Sequence, residues 1–184
     1  SGYEKNGAVG ISVLTDEYFF GGSNNDLKIV KEICNIPVLR KDFIVDEYQI
    51  IESKSIGADT ILLIAAILSD KQILKFSKLA KELGLGVLTE IHSVEDLHKC
   101  DLTYIDIIGV NNRNLKTFKV DLKYSIEIYN KIPNGVVKIS ESGIESVNDV
   151  KLLIDIGYDG FLIGERFMKT KNPGLSFKNF INEL

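Results

Sequence analysis

Polar residues follow short apolar runs at a recurring position along this chain, and their types suit acid–base chemistry on a phosphorylated molecule. Lys41 stands in RKDF, Glu90 closes LTE, and Asn111, Asn112 and Arg113 follow IIGV. Ser140-Glu141-Ser142-Gly143-Ile144 ends the next run, and Gly164-Glu165 the last. A lysine can donate a proton where its cavity keeps the proton poised, and a carboxylate can remove one. Ser142 offers a hydroxyl donor, while Gly143 and Gly164 let backbone come close to an anion, the usual means of holding phosphate at late barrel loops. Glu165 would have to use its backbone N–H there, because its carboxylate repels an anion.

Plainer readings exist for each residue. Lys41 beside Asp42 could form a surface ion pair of about 0–1 kcal/mol. Glu90 could be a solvated strand end, Asn111-Asn112 a turn exploiting left-handed geometry, and the two late loops ordinary helix caps. The shared position is what favours function: residues that all follow the apolar runs converge on one cavity if the runs are strands of one parallel sheet.

The pattern between them supports that sheet. β-rich apolar runs recur at 8–14, 36–39, 60–64, 86–89, 104–110, 136–139 and 160–163, continuously apolar as strands covered on both faces are. Amphipathic stretches separate them. In 69–83, Ile73, Leu74, Phe76, Leu79, Ala80 and Leu83 share one helical face. Gly7, Gly57, Gly84 and Gly157 each precede a run, the place of a left-handed helix exit. Tyr3-Glu4-Lys5-Asn6-Gly7 then has the form of the last turn of a helix. Strand–helix alternation implies right-handed crossovers and a parallel sheet. An open doubly wound sheet would be expected to carry a glycine-rich nucleotide loop after its first strand, and none is seen. A full (β/α)8 barrel takes about 250 residues. The expectation is therefore one domain over 1–184, a (β/α)8 TIM barrel incomplete at the N-terminus, with seven units corresponding to strands two to eight. The strands at 8–14 and 160–163 would have open apolar edges, which invite self-association.

Composition excludes several classes. The 22 basic and 26 acidic residues give a net charge of -4, with no basic stripe for nucleic acid. The longest apolar run, 60–68, is too short to span a bilayer. No basic-then-apolar leader is present, and Cys34 and Cys100 lie far apart, so a reducing cytoplasm is expected. His92 and His98 are not at ligand spacing, so no metal is expected.

The segments SVLTDEYFFGGS (12–23), PVLRKDFIVDEYQI (37–50), GADTILLI (57–64), LTEIHS (88–93), IGVNNRNL (108–115), ISESGI (139–144) and FLIGERFM (161–168) together resemble indole-3-glycerol phosphate synthases. The resemblance implies ring closure of 1-(2-carboxyphenylamino)-1-deoxyribulose 5-phosphate with loss of carbon dioxide and water, in tryptophan biosynthesis, without cofactor. It implies that Lys41 protonates the substrate carbonyl, that Glu90 assists loss of water, and that Asn111 and Glu141 are polar contacts to substrate or catalytic groups. Arg113 is similar to the partner of the anthranilate carboxylate. Phe20, Phe43, Leu62 and Leu162 resemble the apolar walls around the aromatic ring, and Ser142, Gly143, Gly164 and Glu165 the phosphate loops. The family's first strand ends in glutamate and lysine before a Ser-Pro-Ser loop, and no such segment occurs in this sequence. Two rivals remain at this point. One is another sugar-phosphate barrel enzyme, such as phosphoribosylanthranilate isomerase or the tryptophan synthase α subunit. The other is a phosphate-binding fragment without turnover.

Overall fold

The computed structural model describes residues 2–114 and 117–184, so Leu115, the last residue of the 108–115 segment, lies outside it. Seven strands form one parallel sheet in chain order: β1 (Ile11–Leu14), β2 (Val38–Lys41), β3 (Thr60–Ile64), β4 (Gly86–Ile91), β5 (Ile107–Asn111), β6 (Val137–Glu141) and β7 (Gly160–Leu162). Each of the seven expected runs supplies one strand. Helices α1 (Asn24–Ile33), α2 (Glu47–Ser55), α3 (Asp70–Glu82), α4 (Val94–Leu97), α5 (Lys123–Tyr129), α6 (Val147–Ile156), α7 (Glu165–Met168) and α8 (Pro173–Asn182) follow them. The curled, all-parallel sheet is that of an incomplete (β/α)8 barrel. Among the described residues β1 and β7 each have a single ladder neighbour and do not pair with each other.

Local chemistry explains the boundaries. Ser69 caps α3 through the N–H of Gln72, whose side chain reaches back in a capping box, and Leu83 closes the helix. The helix therefore matches the amphipathic stretch. Gly7, Gly57, Gly84 and Gly157 all have φ between 68° and 117°, the left-handed exit expected of them. Four strand starts, those of β1, β2, β5 and β6, come one to three residues later than the apolar runs. β1 begins at Ile11, because residues after Gly7 complete the turn, and Tyr104 ends a short 3-10 helix (Leu102–Tyr104) rather than opening β5.

The outer face of the sheet buries Ile61, Leu63, Val87, Ile91, Ile108 and Val110 against the helices. The inner face holds a smaller cluster of Leu39, Leu62, Ile64 and Leu88, with Phe43, Ile107, Ile139 and Leu162 at its margin. Three aspartates lock strand starts together. Asp59, Asp106 and Asp159 accept the N–H of Val38, Val87 and Lys138 at 2.7, 2.8 and 2.8 Å. Each returns its own N–H to the carbonyl of the same residue.

Candidate active site

Parallel pairing places residues of equal height on the same face. Leu14 aligns with Lys41, Ile64 with Glu90, Asn111 with Glu141, and Glu141 with Leu162. Period two then turns Lys41, Glu90, Asn111, Glu141 and Leu162 inward at the C-terminal end of the sheet. The three charged groups come from alternate strands, β2, β4 and β6, as inward layers of a barrel do.

They meet. Lys41 Nζ lies 3.6 Å from Glu90 Oε2 and 3.8 Å from Glu141 Oε2, with Glu90 and Glu141 side chains 3% and 1% exposed. Lys41 therefore pairs across the interior, not with Asp42, and Glu90 is no solvated strand end. Burial and the neighbouring Glu90 carboxylate push the Glu141 carboxyl up to about 8, against the pull of Lys41. Neither Glu141 oxygen has a hydrogen-bond partner among the described residues. Burial and the second carboxylate thus favour the protonated form of Glu141.

The neighbouring asparagines divide their labour. Asn111 is buried, and its side chain accepts the N–H of Arg113 at 2.9 Å. Asn112 is fully buried on the outer side, donating to Ser140 Oγ and to the carbonyls of Glu141 and Ser142, and accepting from Ser125 N. Neither residue has positive φ, so the left-handed turn is excluded. Asn112 instead ties β5 to the loop after β6. In that loop Ser142 and Gly143 both adopt positive φ, 63° and 73°, and a side chain at 143 would collide with Val120. A non-glycine residue held there is strained backbone at a site-forming loop.

The apolar wall is also assembled. Phe20 stacks on Phe43 with centroids 4.9 Å apart and planes 15° from parallel. Leu62 belongs to the inner cluster, and Phe43 and Leu162 border it. Across the mouth, Arg113 Nη2 contacts Glu165 Oε2 at 2.7 Å, and Lys169 contacts the other Glu165 oxygen. Lys169 first and Arg113 next hold the Glu165 carboxyl below its usual range. Arg113 thus already has a carboxylate partner, supplied by the loop after β7, where Gly164 precedes α7.

The sequence profile of indole-3-glycerol phosphate synthases matches residues 1–180. The chain belongs to the indole-3-glycerol phosphate synthase family. The synthase of Bacteroides thetaiotaomicron is 47% identical over 178 residues, covering 97% of this chain and 68% of that protein. The synthase of Prochlorococcus marinus (strain CCMP1986) is 48% identical over 188 residues, covering 99% and 64%. The chain thus spans about two thirds of the length of these curated relatives. Neither rival enzyme of the pathway is favoured by these matches. Solved structures extend the likeness of fold alone. A 3-hexulose-6-phosphate synthase aligns with TM-score 0.76 at 12% identity, covering all of this chain and 90% of the other. KGPDC from Streptococcus mutans aligns with TM-score 0.74 at 13% identity, covering 99% and 87%.

Two participants escape a strand-end reading of this family member. Gly109 lies opposite Glu90 in the ladder, and a β-carbon there would strike Oε1 of Glu141. A glycine inside an apolar strand is the signal that could have revealed the space. The other is His92, whose Nε2 lies 3.5 Å from Glu90 Oε1. The raised Glu141 carboxyl also has a thermodynamic consequence. Its folded-state value lies above the ordinary 4.5, so the folded state holds a proton that the unfolded chain releases first. Its contribution is full below about pH 4.5 and is lost as pH rises toward about 8. Glu141→Gln should flatten the fall in urea midpoint between about pH 4.5 and about pH 8. An unchanged slope would contradict a neutral Glu141.

Proposed function

We propose that this chain forms most of an indole-3-glycerol phosphate synthase barrel of tryptophan biosynthesis, acting on 1-(2-carboxyphenylamino)-1-deoxyribulose 5-phosphate. The observation that carries the reading is the Lys41 ammonium set between Glu90 and Glu141 on the inner face, beside the Phe20–Phe43 wall. Ring closure joins the carboxylate-bearing aromatic carbon to the ketone carbon. Lys41 supplies the proton that the ketone oxygen takes up as that bond forms. Carbon dioxide leaves, restoring the aromatic ring. The new hydroxyl then takes a second proton, from solvent, and departs as water while Glu90 accepts the carbon-bound proton and returns it to Lys41. Glu141, neutral beside them, lets Lys41 face one carboxylate charge rather than two. Asn111 holds the backbone of Arg113, whose guanidinium can exchange Glu165 for the substrate carboxylate. The two thiols are free, in keeping with a cytoplasmic enzyme. No helix among the described residues is long and apolar enough to cross a membrane.

Glu90→Gln keeps shape and one acceptor but cannot take a proton. Turnover, followed by indole fluorescence after substrate addition, should fall at least about a hundredfold with KM nearly unchanged, the pattern of a group acting in the transition state. A raised KM at unchanged turnover would make Glu90 a binding residue only.

The substrate phosphate is assigned to the loops Ser142-Gly143 and Gly164-Glu165. Sulfate soaked into crystals should sit within about 2.9 Å of backbone N–H groups of both loops. Density on one loop alone, or none at high sulfate, would remove this assignment.

A further inference from the structure

His92 follows β4 by one residue and so points to the same side as Glu90. Its backbone N–H donates to Asp96 Oδ2 at 3.1 Å, and Asp96 is itself anchored by Ser93 Oγ and Lys99. The ring is thereby held over the end of the strand. Its side chain is 15% exposed, and neither ring nitrogen has a hydrogen-bond partner among the described residues. Burying an imidazole N–H without a partner is costly, on the order of 1–3 kcal/mol. Glu90 Oε1 lies 3.5 Å from Nε2, a few tenths of an ångström beyond a good bond. The other oxygen of the same carboxylate faces Lys41. Each Glu90 oxygen is therefore addressed by a different group.

We propose that His92 is the positioning residue of Glu90: its Nε2–H donates to Oε1, fixing the carboxylate plane so that Oε2 faces Lys41 and the reacting atoms. This rests on Glu90 having the role given above. A carboxylate held only by Lys41 could rotate about its terminal torsion, whose minimum is broad. A second donor on the far oxygen removes that freedom.

Two measurements on the whole chain test it. Long-range nitrogen–proton correlation of the imidazoles is simple to assign, because the chain has two histidines and His92→Gln deletes one signal set. His92 should carry its proton on Nε2, and Glu90→Gln should weaken that preference. A ring protonated on Nδ1, or averaging freely between tautomers, overturns the proposal whether or not the chain turns over. In turnover, His92→Ala should lower kcat about tenfold with KM within about twofold, and His92→Gln, which offers an amide N–H near the Nε2 position, should recover most of the loss. Adding His92→Ala to Glu90→Gln should cost nothing further, since coupled residues are non-additive. Full additivity, or loss in KM alone, overturns the positioning role. If Glu90→Gln itself leaves turnover intact, the role of Glu90 has failed instead, and the tautomer result still judges the contact.

Discussion

Lys41→Ala should reduce indole formation by about 10²–10⁴-fold, the usual contribution of a positioned acid or base. The measurement belongs on a chain of the full length of its relatives. Among the described residues Lys41 is the one cation paired with both Glu90 and Glu141, so its removal would take away the proposed proton donor and also the charge that offsets the carboxyl pair. Folding should survive, because the ammonium lies on the inner face and touches none of the outer core. Lys41→Arg keeps the charge yet should rescue little, since a guanidinium does not release its proton. Near-normal turnover in Lys41→Ala would remove it from the mechanism.

Arg40→Ala should have the largest effect on stability, about 3–5 kcal/mol in urea unfolding, with the site geometry lost as a consequence. The Arg40 side chain is 4% exposed. Its guanidinium binds Asp42 Oδ2 at 2.9 Å, Glu52 Oε2 at 2.8 Å, Thr15 Oγ1 at 3.0 Å and the carbonyl of Gln49 at 3.0 Å. Thr15 also donates to Asp42 at 2.6 Å. One planar fork thereby fastens the end of β1, the end of β2 and helix α2. Truncation leaves the buried Asp42 charge without its partner, the costly case for buried ion pairs. Glu52 is 28% exposed and can turn to water, so most of the loss falls on Asp42. Arg40→Lys should lose less, because it keeps the charge but not the fork. A loss below about 1 kcal/mol in Arg40→Ala would show the network to be dispensable.

The sequence displays the repeating unit well because its signals are local. Continuous apolar runs, capping residues such as Ser69 and the four exit glycines depend on neighbours a few residues away. Strand ends drifted where an apolar run passed through a turn, as at Tyr104. The inward residues were legible too, since each follows its run at the strand end. Which of them touch was not. Lys41 and Glu141 are separated by 100 positions in sequence, and only the curl of the sheet brings β2 opposite β6. Arg40 has no signature of its own within PVLRKDF, since its partners Thr15 and Glu52 lie on other elements. Arg40 and Asp42, two apart, share the outer face, and that spacing is the clue to their pairing. The Arg113–Glu165 contact joins loops 52 positions apart and has no local signature.

The aspartate locks at the strand starts carry a consequence for how this barrel can change. Asp59, Asp106 and Asp159 fix Val38, Val87 and Lys138, and each of these lies three residues before Lys41, Glu90 and Glu141 respectively. Three rods of equal length, about 10 Å each, therefore stand on one baseplate and bring their tips to a common level. A single inserted residue in any rod would both lengthen it and turn its tip to the wrong side. Beyond the tips, loop residues are under no such rule. Variation can accumulate in those loops while the levelling is maintained at the opposite pole of the sheet.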